Sequence, residues 1–288
     1  MADICENKKK IEMLTPYDFL ICGTGASEGV PVPFCNCPLC VNARKIGGHE
    51  IRMRAGYQLG KTIHFDFSAD ALAQAQRFHL DYSKLQHLFF THSHDDHLLA
   101  VDDFATREQA LCQISKTLHI YGNQAVFAKL NKSINQKWQE CHMKFHQTTC
   151  GIPIHLGKIS VTPLEANHIP SEQCLLYFIE TPNANLLLAT DTSTFPEKTF
   201  QFLADKPLDN LLIDSTFGTL DHEWGHLGIP GIRRILNRLR KSGTITSKTK
   251  IYPTHISHYC TLKQQDWEAY PDFIPTFDGM TINLGKPE

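Results

Sequence analysis

"THSHDDH", residues 91–97, packs three histidines and two aspartates into seven positions, directly behind the apolar run "LQHLFF", residues 85–90. Hydrogen bonding alone does not demand His92, His94, Asp96 and His97 on one tight turn. Divalent-metal chemistry does, because imidazole and carboxylate are good ligands for zinc, manganese and iron. The spacing H-x-H-x-D-H lets two histidines hold one ion while Asp96 and His97 face a second. A solvated polar loop is the competing reading. It suits a lone His-Asp pair better than four donors placed just past a strand.

Three further candidates each follow an apolar run: His168 after "VTPLEAN", Asp191 after "NLLLAT" and His255 after "KIYPT". Taken singly, each is as well read as a capping or core residue; their shared placement is the argument. If the runs are strands of packed sheets, their ends converge at one edge and line one cleft. There Asp191 can bridge two cations. Two metals roughly 3.5–4 Å apart hold a hydroxide between them, lower its pKa and stabilise both the entering and the leaving oxygen of a phosphoester displacement. No serine or cysteine nucleophile is then required, and Asp96 counts among the catalytic residues as well as the ligands.

A second cluster, "CNCPLC" (35–40), spells C-x-C-x-x-C. Cys35, Cys37 and Cys40 can wrap one zinc at Zn–S distances near ~2.3 Å, with a fourth donor closing the tetrahedron. His258 is the best candidate, three residues after His255 in "THISH". The alternatives are three unligated thiols or a redox role, and a redox role would favour a plain C-x-x-C.

The rest of the chain bounds the answer. Its 288 residues are 42% hydrophobic, enough for one large core or two modest domains. A net charge of −2 gives no blanket attraction to nucleic acid or to anionic membrane. No apolar run approaches the ~20 residues of a membrane span. The start, "MADICENKKKIEML", has no apolar stretch beside its lysines, so a cytoplasmic protein is expected. Ten cysteines in a reducing compartment then read as thiols and metal ligands. With no repeat or linker, we expect an N-terminal extension over 1–16 and a single domain over 17–288. Strands are expected at 17–23, 61–67, 85–90, 116–122, 158–166, 175–180, 185–190, 209–214 and 250–254. Helices are expected at 69–79, 123–138, 196–205 and 229–243, with Pro196 at a first helical position. Helices interspersed among many strands predict sheet layers covered by helices.

H-x-H-x-D-H, the later His168, the "ATD" aspartate and the terminal "THISH" together resemble the metallo-β-lactamase superfamily. The resemblance implies an α/β (α+β) fold, the αββα sandwich, with a dinuclear site at one edge of its two sheets. It implies that Asp66, in "IHFDFS", supports the ligand loop by hydrogen bonding, although Phe67 and Ser68 depart from the small residues usual there. "GTGASEGVPVPFCNCPLCVNAR" (23–44) with "THISH" narrows the likeness to PhnP-like phosphoribosyl cyclic phosphodiesterases and, more distantly, PqqB-like proteins. That likeness runs from about residue 18 to "FDGM" at 277–280. It makes His92, His94, Asp96, His97, His168, Asp191 and His255 the ligands of two divalent ions, manganese or zinc, with iron a further option. Cys35, Cys37, Cys40 and His258 become the ligands of a structural zinc. His226, in "GHLGIP", falls where the family places a histidine beside the reacting phosphate, as general acid or as donor to a phosphoryl oxygen. A homodimer is implied as well. Asp214, ending "NLLID", is read as orienting a ligand histidine.

The expected function is a dinuclear-metal phosphodiesterase acting on small, cyclic ribose phosphodiesters through a metal-bridging hydroxide. A tRNA 3′-processing-type nuclease is the alternative, disfavoured by the slightly acidic charge and the lack of a long basic insertion. A PqqB-like non-hydrolytic biosynthesis or binding protein is another, and a mere binder would not need the full ligand set. No stable nucleic-acid partner and no membrane are expected. Three features are set aside. "CHMKFH" (141–146) belongs to neither motif and is read as surface or packing. "GTGASEG" lacks the lysine of a phosphate loop and is read as a tight turn. Arg52 and Arg54, which follow His49, are read as solvated or ion-paired rather than as phosphate ligands.

Overall fold

The computed structural model describes residues 14–99, 104–108 and 112–285, so most of the extension expected over 1–16 lies outside the described residues. The first sheet has seven strands in the order β13-β1-β2-β3-β4-β5-β6, and the second has six in the order β12-β11-β10-β9-β8-β7. The first comprises β1 (Asp18–Gly23), β2 (Gly56–Leu59), β3 (Ile63–Phe65), β4 (His87–Phe89), β5 (Leu118–Gly122), β6 (Met143–Gln147) and β13 (Thr281–Asn283). The second comprises β7 (Ile154–Leu156), β8 (Ile159–Glu165), β9 (Leu175–Glu180), β10 (Asn185–Ala189), β11 (Asn210–Asp214) and β12 (Lys250–Thr254). Five α-helices stand among the described residues: α1 (Pro38–Ile46), α2 (Ala71–Phe78), α3 (Gln124–Ser133), α4 (Glu197–Leu203) and α5 (Ile229–Lys241).

Side-chain alternation along the strands builds the layers. In "NLLLA", Leu186 and Leu188 point into the core between the sheets, beside Phe65, Phe89 and Tyr177. Leu187 and Ala189 point the other way, into the core shared with α4 and α5. Phe89 of β4 faces the inter-sheet core, while Leu88 and Phe90 pack under Val126 and Leu130 of α3. Buried on both faces, such strands read as unbroken apolar runs, which is why the sequence displays them. Helix α5 buries Ile229, Ile232, Ile235, Leu236 and Leu239, a stripe at helical spacing, and turns Arg233, Arg234 and Arg238 outward. The αββα sandwich follows from these three layers of packing.

Strand direction places the site. β3 through β6 run parallel, and β10, β11 and β12 run parallel to one another. β9 is antiparallel to both β10 and β8, so β8 points the same way as β10. The carboxyl ends of β8, β10, β11 and β12 therefore meet at one edge of the second sheet. His168, Asp191, Asp214 and His255 sit at or just past those ends.

Some elements differ from expectation. The helix expected over 123–138 stops at Ser133, because Asn135 and Gln136 take positive φ (48° and 65°). Pro196 precedes α4, in extended backbone, rather than opening its first turn. "CHMKFH" contributes to β6, whose Met143 is buried, in keeping with a packing role. "GTGASEG" is a close-packed turn: a Cβ on Gly23 would lie 1.8 Å from the Arg54 carbonyl oxygen, which only glycine avoids. Arg52 is buried and donates to Thr24, Gln264 and the Thr276 carbonyl, while Arg54 pairs with Asp70 at 3.0 Å. No helix among the described residues is long and apolar enough to cross a membrane.

Candidate metal centre

The turn after β4 is held from several sides. Asp66, just past β3, accepts the Thr91 amide at 2.8 Å on one carboxylate oxygen. Its other oxygen lies 2.7 Å from His97 Nδ1, which fixes that imidazole with Nε2 facing the cleft. Thr91 Oγ1 bonds both Asp66 oxygens and lies 3.0 Å from His92 Nδ1. Glu172 accepts the Ser93 amide at 2.7 Å, the Ser93 hydroxyl at 2.6 Å and the Asn123 amide group at 2.8 Å.

All seven expected donors converge, in two adjoining groups. His92, His94 and His168 form one; Asp96, His97, Asp191 and His255 form the other, with the donor atoms of each group within 4.8 Å of one another. His94 Nδ1 lies 3.2 Å from His168 Nε2. Asp191 joins the two groups: one oxygen lies 3.1 Å from His97 Nε2, the other 3.2 Å from His255 Nε2 and 3.9 Å from His168 Nε2. Asp96 approaches His97 Nε2 at 3.2 Å and His255 Nε2 at 3.5 Å.

The donor set fits divalent cations on a specific observation. The Nε2 atoms of His92, His97 and His255 are buried without an aligned hydrogen bond, those of His97 and His255 lying 3.1–3.5 Å from the Asp96 and Asp191 oxygens. Buried polar atoms normally find one, and imidazole nitrogens crowded against two carboxylates without an aligned hydrogen bond suit cations between them. Burial alone would raise the Asp96 and Asp191 carboxyls. His97 for Asp96, and His255 and His97 for Asp191, overcome it and hold both groups well below the usual carboxylate range. Strain marks the same edge. Asp66, Asp191 and His255 all take left-handed φ (56°, 52° and 55°), a conformation uncommon outside glycine, though Asp and His adopt it more readily than most side chains.

His226 stands beside this centre, its ring 4.7 Å from that of His168 and 5.2 Å from that of His255. Its Nδ1 lies 2.8 Å from an Asp214 oxygen. Burial would lower its pKa, but the Asp214 carboxylate reverses this and raises it to about 9. Asp214 also accepts the Leu227 amide at 2.9 Å, which fixes its own orientation. His255 Nδ1 is 3.7 Å from Asp214 but only 2.9 Å from Thr216 Oγ1. Asp214 therefore orients His226, and Thr216 takes the part at the expected ligand His255. Thr91, Thr216 and Glu172 escaped the sequence reading. Thr91 sits within the quoted motif and could have been found there; the other two act across the chain and leave no local spacing.

The cysteine loop forms a second donor set, Cys35, Cys37, Cys40 and His258, again within 4.8 Å. His258 Nδ1 lies 3.2 Å from Cys35 Sγ and 3.8 Å from Cys37 Sγ. Cys37 caps the N-terminus of α1. Burial opposes its ionisation, but hydrogen bonds from the Cys40 amide and His258 bring its thiol down to about 6. The Val32 amide donates to Cys40 Sγ at 3.3 Å. The described cysteines are free thiols. Three thiols and an imidazole match a structural zinc site.

Comparison with known proteins agrees with this architecture. A solved structure described as a new diphosphatase from the PhnP family superposes with a TM-score of 0.72 at 22% identity, covering 92% of this chain and 97% of that one. The short form of human tRNase Z gives 0.65 at 16% identity, covering 93% and 100%. An octanoyltransferase of Porphyromonas gingivalis is 24% identical over 274 residues, 91% of this chain and 50% of its own. The chain thus spans about half the length of that relative. The family described as the beta-lactamase superfamily domain matches residues 61–256, the stretch from β3 to just past β12 that carries both donor groups and His226. With two sheets, flanking helices and a His/Asp centre at their edge, the chain belongs to the metallo-β-lactamase superfamily.

Proposed function

We propose that the protein is a dinuclear-metal phosphodiesterase acting on small, cyclic ribose phosphodiesters. The observation that carries the reading is Asp191, whose carboxylate spans the two donor groups, beside three buried imidazole nitrogens that lack an aligned hydrogen bond. His92, His94 and His168 would hold one cation and Asp96, His97 and His255 the other, with Asp191 shared. Bound cations supply Lewis acidity at the phosphoryl group and a lowered pKa for the attacking water. The chain's own residues do the rest. Asp66, Thr91, Glu172 and Thr216 fix the donors, so little reorganisation is needed during reaction. Asp214 holds the Nδ1 proton of His226, leaving Nε2 to donate a proton to the departing oxygen. Cys35, Cys37, Cys40 and His258 would hold a structural zinc.

The test is an activity panel on purified protein with manganese or zinc added: a cyclic ribose phosphodiester, a linear bis-aryl phosphate, a pre-tRNA and a β-lactam, with elemental analysis in parallel. The reading expects hydrolysis of the diesters, none of the pre-tRNA or the lactam, and metal in both donor sets. Only one ion per chain after supplementation would defeat the dinuclear assignment.

A further inference from the structure

The loop from β11 to α5, "STFGTLDHEWGHLG" (215–228), carries His226 and also an exposed aromatic ridge. Trp224 is 72% exposed, and Tyr259, on the neighbouring segment, 58%. Large apolar groups in such numbers at the lip of a cleft are informative where a single exposed one would not be. The rings of Phe217 and His222 lie 3.8 Å apart, and Tyr259 stacks on Phe217 at 6.0 Å and 24°. Phe217 is in turn 6.3 Å from His226. The Trp224 backbone is held next to this cluster and to the metal centre: its carbonyl accepts from His222 Nε2 at 2.9 Å, and the next carbonyl, of Gly225, accepts from His168 Nδ1 at 2.9 Å, while the exposed indole projects from this point of the loop. The neck of the loop is closed by the Phe217 amide on the Leu227 carbonyl at 3.0 Å. Arg234 of α5 pairs with Glu223 at 2.7 Å and with Asp221, which offsets one of the two negative charges that would otherwise repel an anion.

We propose that Phe217, His222, Trp224 and Tyr259 form a stacking platform for a planar base, so that the phosphodiester taken by this site carries a nucleobase. The proposal rests on the phosphodiesterase reading. In a nucleotide one ribose separates base from phosphate, and one ring, His226, separates the metal donors from Phe217. Aromatic side chains accept any base on its π-face. The platform is continuous with the catalytic cleft and built on a loop pinned at both ends.

The experiment compares kcat/KM of the manganese-loaded enzyme on 2′,3′-cyclic AMP and on a cyclic ribose phosphate without a base. Trp224→Ala and Phe217→Leu should lower the ratio of the two by about 5- to 100-fold, the range expected from loss of base stacking. Trp224→Phe should restore most of it. Trp224 is exposed, so its variants do not threaten the fold. A second readout needs no turnover. AMP, and not ribose 5-phosphate, should quench tryptophan fluorescence, and the quench should vanish in Trp224→Phe. A wild-type enzyme that cleaves both substrates, with a ratio unmoved in the variants, overturns the platform and leaves the phosphodiesterase reading standing. Cleavage of neither substrate overturns that reading, and the absence of an AMP quench then overturns the platform as well. A change of oligomeric state in Trp224→Ala with no change in the ratio would assign the ridge to contacts between copies and also overturn the proposal.

Discussion

At the scale of single residues, the role proposed for His226 is chemistry beside the metal centre rather than metal binding, and it is testable because His226 also lies within reach of His168 and Asp191 as a donor. Its Nδ1 is engaged by Asp214 at 2.8 Å, and its ring stacks on that of His255 at 10° without belonging to the expected ligand set. His226→Ala should lower kcat by roughly 10²–10⁴-fold, the usual reach of general acid–base catalysis, with metal content unchanged. The loss should shrink on a substrate whose leaving group is nitrophenolate, which departs without a proton. Equal losses on good and poor leaving groups would make His226 a phosphate-positioning group instead. The clustered donors were legible because metal chemistry favours particular side chains at short spacings. Asp66 was singled out only through the family resemblance, and it bonds the Thr91 amide and His97. Thr216 was not, because its hydroxyl reaches His255 across 39 positions and a threonine past a strand carries no pattern.

At the scale of elements, the ligand turn is a structure braced from outside. Glu172 receives both hydrogen-bond donors of Ser93, and Asn123, the cap of α3, donates to the same carboxylate. Lys129 of α3 adds a bond to the Ser93 carbonyl at 2.7 Å. Glu172→Ala should leave these donors unsatisfied and loosen the turn that presents His92 and His94. We expect metal affinity to fall about 10–100-fold, the usual effect of removing an outer support, with kcat largely restored at saturating metal. A metal titration of activity decides it, and a curve superimposable on wild type would remove Glu172 from the brace. The elements legible in the sequence were those buried on both faces or built on a long amphipathic stripe. β7 and β13 are as short as β3 and β4 but only partly buried, so no apolar run marks them. α1 begins at Pro38 inside the cysteine loop, where metal spacing masks helical spacing.

At the scale of the whole molecule, the two donor sets are mechanically one unit. The glycine turn after β1 bonds the segment after β12 in both directions: the Ile256 amide to the Thr24 carbonyl at 2.7 Å, and the Ala26 amide to the Ile256 carbonyl at 3.1 Å. Glu28 of the same turn accepts the Ser257 hydroxyl. His255 and His258 flank that junction, one aimed at each donor set. His255 also holds a left-handed φ of 55°, a conformation that persists only where its surroundings impose it. The zinc proposed for this set, closed by His258, would therefore pin the backbone that presents His255. Cys37→Ser should remove this zinc and lower the melting temperature, because structural zinc contributes directly to folding free energy. It should also weaken the distant centre. The metal-activation curve should shift to higher concentration and be partly rescued by excess metal, since the donors there remain chemically intact. A redox or independent binding role for the cysteines creates no such dependence. Zinc content, melting temperature and the activation curve of Cys37→Ser, measured beside wild type, separate these cases. Loss of zinc with an unmoved melting temperature and activation curve would mean that the cysteine loop does not scaffold the centre, and that His258 was assigned wrongly.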